Sequence, residues 1–183
     1  MNDIEQKIAR CLDAHFSSVG FAESSVDALR EAADVSLRTL YKYFPSREAM
    51  VVAALENRNI AYLEFLSGGP ARGAEHVIYP IKRLGTWLSS VSCRGCLFLN
   101  ALAAYPDSPI IKTTVEAHKE QVRKLFESRL ANVAPNSNAH DLSKLMLSIH
   151  EGQTQLAMSQ GPTTATQAAL RLTSILLQQE KIT

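Results

Sequence analysis

AADVSLRTLYKYFPSREAM, residues Ala32 to Met50, holds no acidic residue between Val35 and Arg47. Ser36 is a natural cap for a short helix, and Pro45 ends that helix because the residue before a proline is driven out of helical geometry. Leu37, Leu40 and Phe44, spaced by three and four, are expected to share an inward face. Arg38, Thr39, Tyr41 and Lys42 then project outward. Upstream, SSVDALREAA gives another short helix, capped by Ser24 or Ser25, with Asp27 in its first turn. Two short helices joined by a turn at Asp34 to Ser36 and braced by a helix before them make a helix-turn-helix, whose second helix enters the major groove of DNA. The composition of that second helix suits the task. Residues at its exposed start reach base edges, while Tyr41, Tyr43 and Lys42 suit phosphate contacts. Ser46 and Arg47 open the next helix, whose unpaired N–H groups form a seat for phosphate. The plainer alternative for any one of these residues is a solvated amphipathic face.

Helical spacing continues outward in both directions. Ile4, Ile8, Cys11, Leu12, His15, Phe16 and Val19 form one stripe, and Gly20 ends that helix. A long fourth helix starts at Ser46 and ends at the Ser67-Gly68-Gly69-Pro70 break. The spacing predicts further helices over about 74–91, 95–105, 109–133, 140–160 and 164–179. Pro80 inside the first of these predicts a late start or a kink. No segment alternates at strand period, and no repeat is visible. The expected fold is all-α with about nine helices. Residues 1–46 form a three-helix helix-turn-helix unit for DNA binding, and residues 47–183 form a larger body for ligand binding and dimerisation.

The 183 residues are 46% hydrophobic and 20% charged, a globular composition with ample apolar material for a core. A net charge of +1 excludes a polycation, so nucleic-acid binding must come from a local patch. The opening MNDIEQKIARCLDAHF carries acids where an export signal needs a basic start and an apolar core. No apolar run reaches bilayer-spanning length, so a cytoplasmic protein with no membrane partner is expected. Its three cysteines, Cys11, Cys93 and Cys96, should then stay reduced.

The stretch 32–50 resembles the signature of the TetR family of bacterial transcriptional regulators. Ala33, Val35, Ser36, Thr39, Leu40, Tyr41, Phe44, Glu48 and Met50 carry the resemblance, and Phe21, Ser24 and Ser25 sit where the family places an aromatic and a Thr pair. Asp34 replaces the family's usual turn glycine, yet Asp tolerates left-handed geometry better than most residues. Arg30 stands where a small residue is common, and Arg47 replaces a lysine with its charge kept. The resemblance implies a homodimer paired through the last two helices, each subunit reading half of a near-palindromic double-stranded DNA operator. It also implies a small-molecule inducer that releases a repressor. DNA-contact candidates are therefore Ser24, Ser25, Ser36, Arg38, Thr39, Tyr41, Lys42, Tyr43, Ser46 and Arg47.

Trp87, Cys96, Phe98, Asn100, Tyr105, His118 and Gln121 are the ligand-binding candidates, as aromatic or polar residues on the central helices. Ordinary packing is the alternative for each. Cys93 and Cys96 stand in a C-x-x-C spacing that suits a redox or electrophile sensor. A thioredoxin-like motif would need a βαβ context, and zinc would need further ligands that the sequence does not offer at metal spacing. Gly95, Cys96, Leu97 and Asn100 also match a stretch common in the resembled family, which favours a structural or pocket role for Cys96. Cys11 and His15 read as core, and His150 with Glu151 as a buried or interface pair. No Gly-rich phosphate loop, nucleophile elbow or metal-binding His-Glu motif is present, so an enzyme, a metal site and a cofactor are not expected. Two alternatives to a ligand-responsive DNA-binding regulator stay open: a thiol-sensing regulator using Cys93 and Cys96, and a helical small-molecule-binding protein without DNA binding.

Overall fold

The computed structural model describes residues 2–91 and 95–182. Among these residues the chain forms nine α-helices and no strand. They are α1 (Asp3–Val19), α2 (Val26–Ala33), α3 (Leu37–Tyr43), α4 (Arg47–Leu66), α5 (Gly73–Ser90), α6 (Leu97–Ala104), α7 (Pro109–Val133), α8 (Ala139–Gln160) and α9 (Pro162–Gln179). Local chemistry sets many of the ends. Asn2 and Glu5 form a reciprocal capping box, with the Glu5 amide donating to Asn2 Oδ1 at 2.9 Å and the Asn2 amide donating to Glu5 Oε2 at 2.7 Å. Gly20, at φ +95°, closes α1, and its amide bonds the Phe16 carbonyl.

The helices divide into two compact units, one of residues 1–62 with 96–118 and one of residues 63–95 with 119–183. α4 and α7 contribute residues to both. In the first unit, Ile8, Leu12 and Phe16 of α1 pack with Leu29 and Ala33 of α2, Leu40 of α3 and Met50 and Leu55 of α4. Phe98 and Ala101 of α6 and Ile111 of α7 complete that core. A buried ion pair joins α1 to α4 in this unit. Arg58 donates through Nε (2.8 Å) and Nη2 (2.5 Å) to Asp13 Oδ1, and Asn57 Nδ2 donates to Asp13 Oδ2 at 2.8 Å. Ser17 also accepts from Arg58 Nη2.

In the second unit α9 packs against α5 and α8. A Cβ at Gly85 would collide with the Thr166 side chain, so the close approach of α5 to α9 requires glycine there. Gln153 of α8 spans this contact, donating from Nε2 to the Ile81 carbonyl (3.1 Å) and to Thr166 Oγ1 (3.0 Å).

α5 does not start late. It begins at Gly73 and carries Pro80 in its interior. A proline cannot supply the N–H that its fourth-preceding carbonyl expects, here that of His76. The buried Arg129 of α7 fills the gap: its Nη1 donates to the His76 carbonyl at 2.7 Å. Its Nη2 donates to the Leu66 and Gly68 carbonyls, at 3.1 and 2.9 Å, where α4 has run out of its own amides. Burial pulls the Arg129 pKa down, yet three carbonyl dipoles and a helix C-terminus favour the cation. Arg129→Met, which leaves three acceptors without their donor, should lower stability by about 3 kcal/mol or more in urea unfolding. Pro80→Ala should recover part of that loss only in the Arg129→Met background, because only there is the returned N–H needed.

Candidate nucleic-acid interface

The candidate interface is built from three capped helix starts and one left-handed turn, all in the first unit. The Ser25 hydroxyl accepts from the Ala28 amide at 3.1 Å and starts α2. Asp34 ends it at φ +52°, ψ +51°, with its amide on the Glu31 carbonyl (3.0 Å) and the Val35 amide on the Arg30 carbonyl (3.2 Å). The residue in the glycine position thus adopts the left-handed geometry that a short polar side chain tolerates. Ser36 then caps α3, accepting from the Thr39 amide at 3.1 Å, and its hydroxyl also meets Thr39 Oγ1 at 2.8 Å. Ser46 caps α4 by accepting from the Ala49 amide at 3.1 Å.

Within α3 the sides sort differently from the periodic reading at one position. Leu40 is fully buried and Phe44, just past the helix end, is buried. Leu37 is 41% exposed. Helical side chains lean toward the N-terminus, so the first residue of a seven-residue helix leans past the layer that Leu40 and Phe44 fill. The outward face therefore carries Leu37, Arg38, Tyr41 and Lys42. Lys42 Nζ lies 5.3 Å from the centre of the Tyr43 ring. Thr39 and Tyr43 are half-buried at the flanks. Arg30 of α2 is engaged by Asp27 and Glu31 of its own helix, at 3.5 and 3.4 Å, so its charge is largely compensated.

Two of the sequence candidates turn inward. Ser24 is 2% exposed, and its hydroxyl donates to the Gly20 carbonyl at 2.5 Å, bracing the α1–α2 turn. Arg47 donates from Nε to the Tyr105 hydroxyl at 2.6 Å and from Nη2 to the Phe21 carbonyl at 2.7 Å. Tyr105, the residue after α6, meets the Phe21 ring edge-on at 6.2 Å. One guanidinium thereby joins the start of α4, the α1–α2 turn and the end of α6.

The ligand candidates divide between the two units. In the first, the buried Phe98 and His118 rings stack in parallel, 3.6 Å between centres. His118 Nδ1 lies 2.8 Å from Asn59 Oδ1, and Tyr62 tilts against the same imidazole at 5.7 Å. Asn59 and Tyr62 were not legible as partners, since both lie on α4, more than fifty residues away in sequence. Asn100 and Cys96 are half-buried, Cys96 as the residue before α6. In the second unit Trp87 is buried against Phe65, 5.1 Å between ring centres, and Gln121 is exposed on α7. Cys93 lies outside the described residues. No cluster of three or more potential metal ligands occurs among the described residues, and none of their helices is long and apolar enough to cross a membrane.

His150 and Glu151, in the second unit, make a direct contact. The buried His150 holds Glu151 Oε1 through Nδ1 at 3.0 Å, and Lys119 Nζ holds Oε2 at 2.6 Å. Burial lowers the His150 pKa despite the carboxylate beside it. For Glu151, burial alone would raise the pKa, but the His150 hydrogen bond and the Lys119 charge override it and bring it to about 2. Both groups bind protons more readily in the unfolded chain. Their stabilisation is complete above the ordinary histidine value of about 6.5 and is lost as the pH falls, His150 first. The thermal midpoint should therefore drop between pH 7 and pH 5, and His150→Gln should flatten that slope.

Residues 14–54 match the sequence model described as bacterial regulatory proteins, tetR family. The fold is that of a TetR-family transcriptional regulator from Streptomyces coelicolor, SCO4454, with a TM-score of 0.82 at 20% identity over 97% of this chain and 90% of that one. It is equally similar to a regulator of the same kind from Streptomyces avermitilis (TM-score 0.81, 19% identity, 100% of both chains). The reduced form of NemR from E. coli follows at TM-score 0.78, with 20% identity over 99% of this chain and 98% of that one. No curated protein matches the sequence. Residues 14–54 are thus similar to the tetR family's sequence model, and the chain as a whole has the fold of the TetR-family regulators named above.

Proposed function

We propose that the protein is a ligand-responsive repressor. As a homodimer it binds a near-palindromic operator and releases it when a small molecule binds. The observation that carries the reading is α3: an acid-free helix with Arg38, Tyr41 and Lys42 exposed together, held by a capped, left-handed turn. Ser25, Ser36, Thr39, Tyr43 and Ser46 lie along the same segment, whose capping amides suit phosphate oxygens. Residues 1–46 serve as the DNA-binding domain and 47–183 as the regulatory body. Homodimerisation through α8 and α9 is supported by Leu145, Met158, Leu172 and Ile175, large apolar side chains on those helices that are each about half exposed.

The response to ligand is assigned to α6 and its neighbours, where Phe98, Asn100 and His118 are the leading contacts. Arg47 ties the end of α6 to the helix-turn-helix within one compact unit, so a ligand that favours another placement of α6 shifts the population of DNA-competent molecules. The test is selection of genomic DNA fragments by the purified, reduced protein at near-physiological salt with excess competitor DNA. Enrichment of a near-palindromic site is the expected result. A folded protein that enriches nothing overturns the regulator reading in favour of small-molecule binding without DNA. Cys93→Ser and Cys96→Ser variants that keep a response to peroxide or quinone exclude thiol sensing.

A further inference from the structure

We infer that Leu37 reads the C5-methyl group of a thymine in each operator half-site, an inference that rests on the DNA-binding reading above. Leu37 is the first residue of α3 and is 41% exposed, while Leu40 of the same helix is completely buried. Tyr41, one turn on, is 44% exposed on the same side, so the two form a short apolar ridge. Arg38 and Lys42, also one turn apart, run beside it.

A surface that covers this face must be apolar at one point and anionic around it. The major groove meets both needs. Phosphates flank it, and among the four bases only thymine offers an apolar group at the groove edge, its C5-methyl. The residues that reach base edges lie at the start of a recognition helix, which is where Leu37 stands. Leucine has no hydrogen-bonding group, so it cannot read the donors and acceptors of the other bases. Its contribution to sequence preference is a methyl contact or nothing.

The experiment uses the operator selected by the full-length protein. Each thymine is replaced singly by deoxyuridine, which removes only the methyl group, and binding is measured for the wild type and for Leu37→Ala. One position per half-site should be methyl-sensitive in the wild type, with affinity falling about fourfold for one methyl and about fifteenfold for both. In Leu37→Ala that sensitivity should vanish while other deoxyuridine effects persist. Repeating the selection with Leu37→Ala should return the same operator with thymine no longer preferred at that position. Two outcomes overturn the assignment: no methyl-sensitive position, or equal sensitivity in both proteins. Those outcomes presuppose an operator. A wild-type protein that selects none overturns the DNA-binding reading itself, so the two failures are told apart. Leu37 is exposed, so the variant should fold, and an unchanged circular dichroism melt verifies this.

Discussion

Alanine at both Arg38 and Lys42 will abolish sequence-specific DNA binding and leave the fold intact. Both side chains are exposed on α3, so their removal should change stability by no more than about 0.5 kcal/mol. An arginine that contacts a base edge is worth about 1–3 kcal/mol, and in a symmetric dimer the contact occurs twice. The expected loss from Arg38→Ala alone is then of order a hundredfold. Lys42→Ala should weaken binding to all sequences alike. It should also lower the slope of log affinity against log salt by about two for the dimer, one for each phosphate that no longer meets a lysine. Binding of the double variant at wild-type affinity, from a sample with an unchanged melting curve, would rule out α3 as the reading helix.

The second large effect concerns the buried pair that joins α1 to α4. Asp13 and Arg58 are 7% and 8% exposed, and every oxygen of the carboxylate has a donor. Removing one partner leaves a charge buried without compensation, which typically costs about 3–5 kcal/mol. Asp13→Leu and Arg58→Met should each lower the urea midpoint by that order. The double variant Asp13→Leu/Arg58→Met should be more stable than either single variant, because no unpaired charge remains. Strictly additive losses would contradict this account and assign the two effects to packing alone.

These two predictions differ in how far the sequence alone leads to them. Arg38 and Lys42 follow from local pattern: an acid-free run, a capping serine, a terminating proline. The Asp34 turn was readable for the same reason, since backbone geometry at one residue depends on its own side chain. Asp13 was not readable. It sits on the buried side of α1 among Ile8, Leu12 and Phe16, and its partner nearby in the same helix is the uncharged Ser17 hydroxyl, 3.3 Å from Oδ1. Its ion-pair partner lies forty-five residues away. Arg129 is similar: three carbonyls from α4, α5 and the loop between them converge on it, and Pro80 by itself pointed only to a late start or a kink.

The ligand candidates show the limit most clearly. In the sequence Phe98 and His118 are separate aromatic and polar residues, and folding stacks them on each other. Tyr105 reads as a ligand contact and Arg47 as a DNA contact, and folding bonds them to each other. Trp87 and Gln121 fall in a different compact unit from the rest.

What the sequence by itself determined is the set of helices, their caps and breaks, and the residue chemistry of α3. These depend on contacts within about four residues along the chain. Only the tertiary structure decided which side chains on those helices are used up internally and which stay available. Ser24 and Arg47 turn inward and Leu37 stays out, though periodicity placed it inside. Periodicity gives a side chain its direction around its own helix axis. Whether another element lies in that direction depends on where distant segments pack, and at the first turn of α3 the described residues leave the leucine 41% exposed.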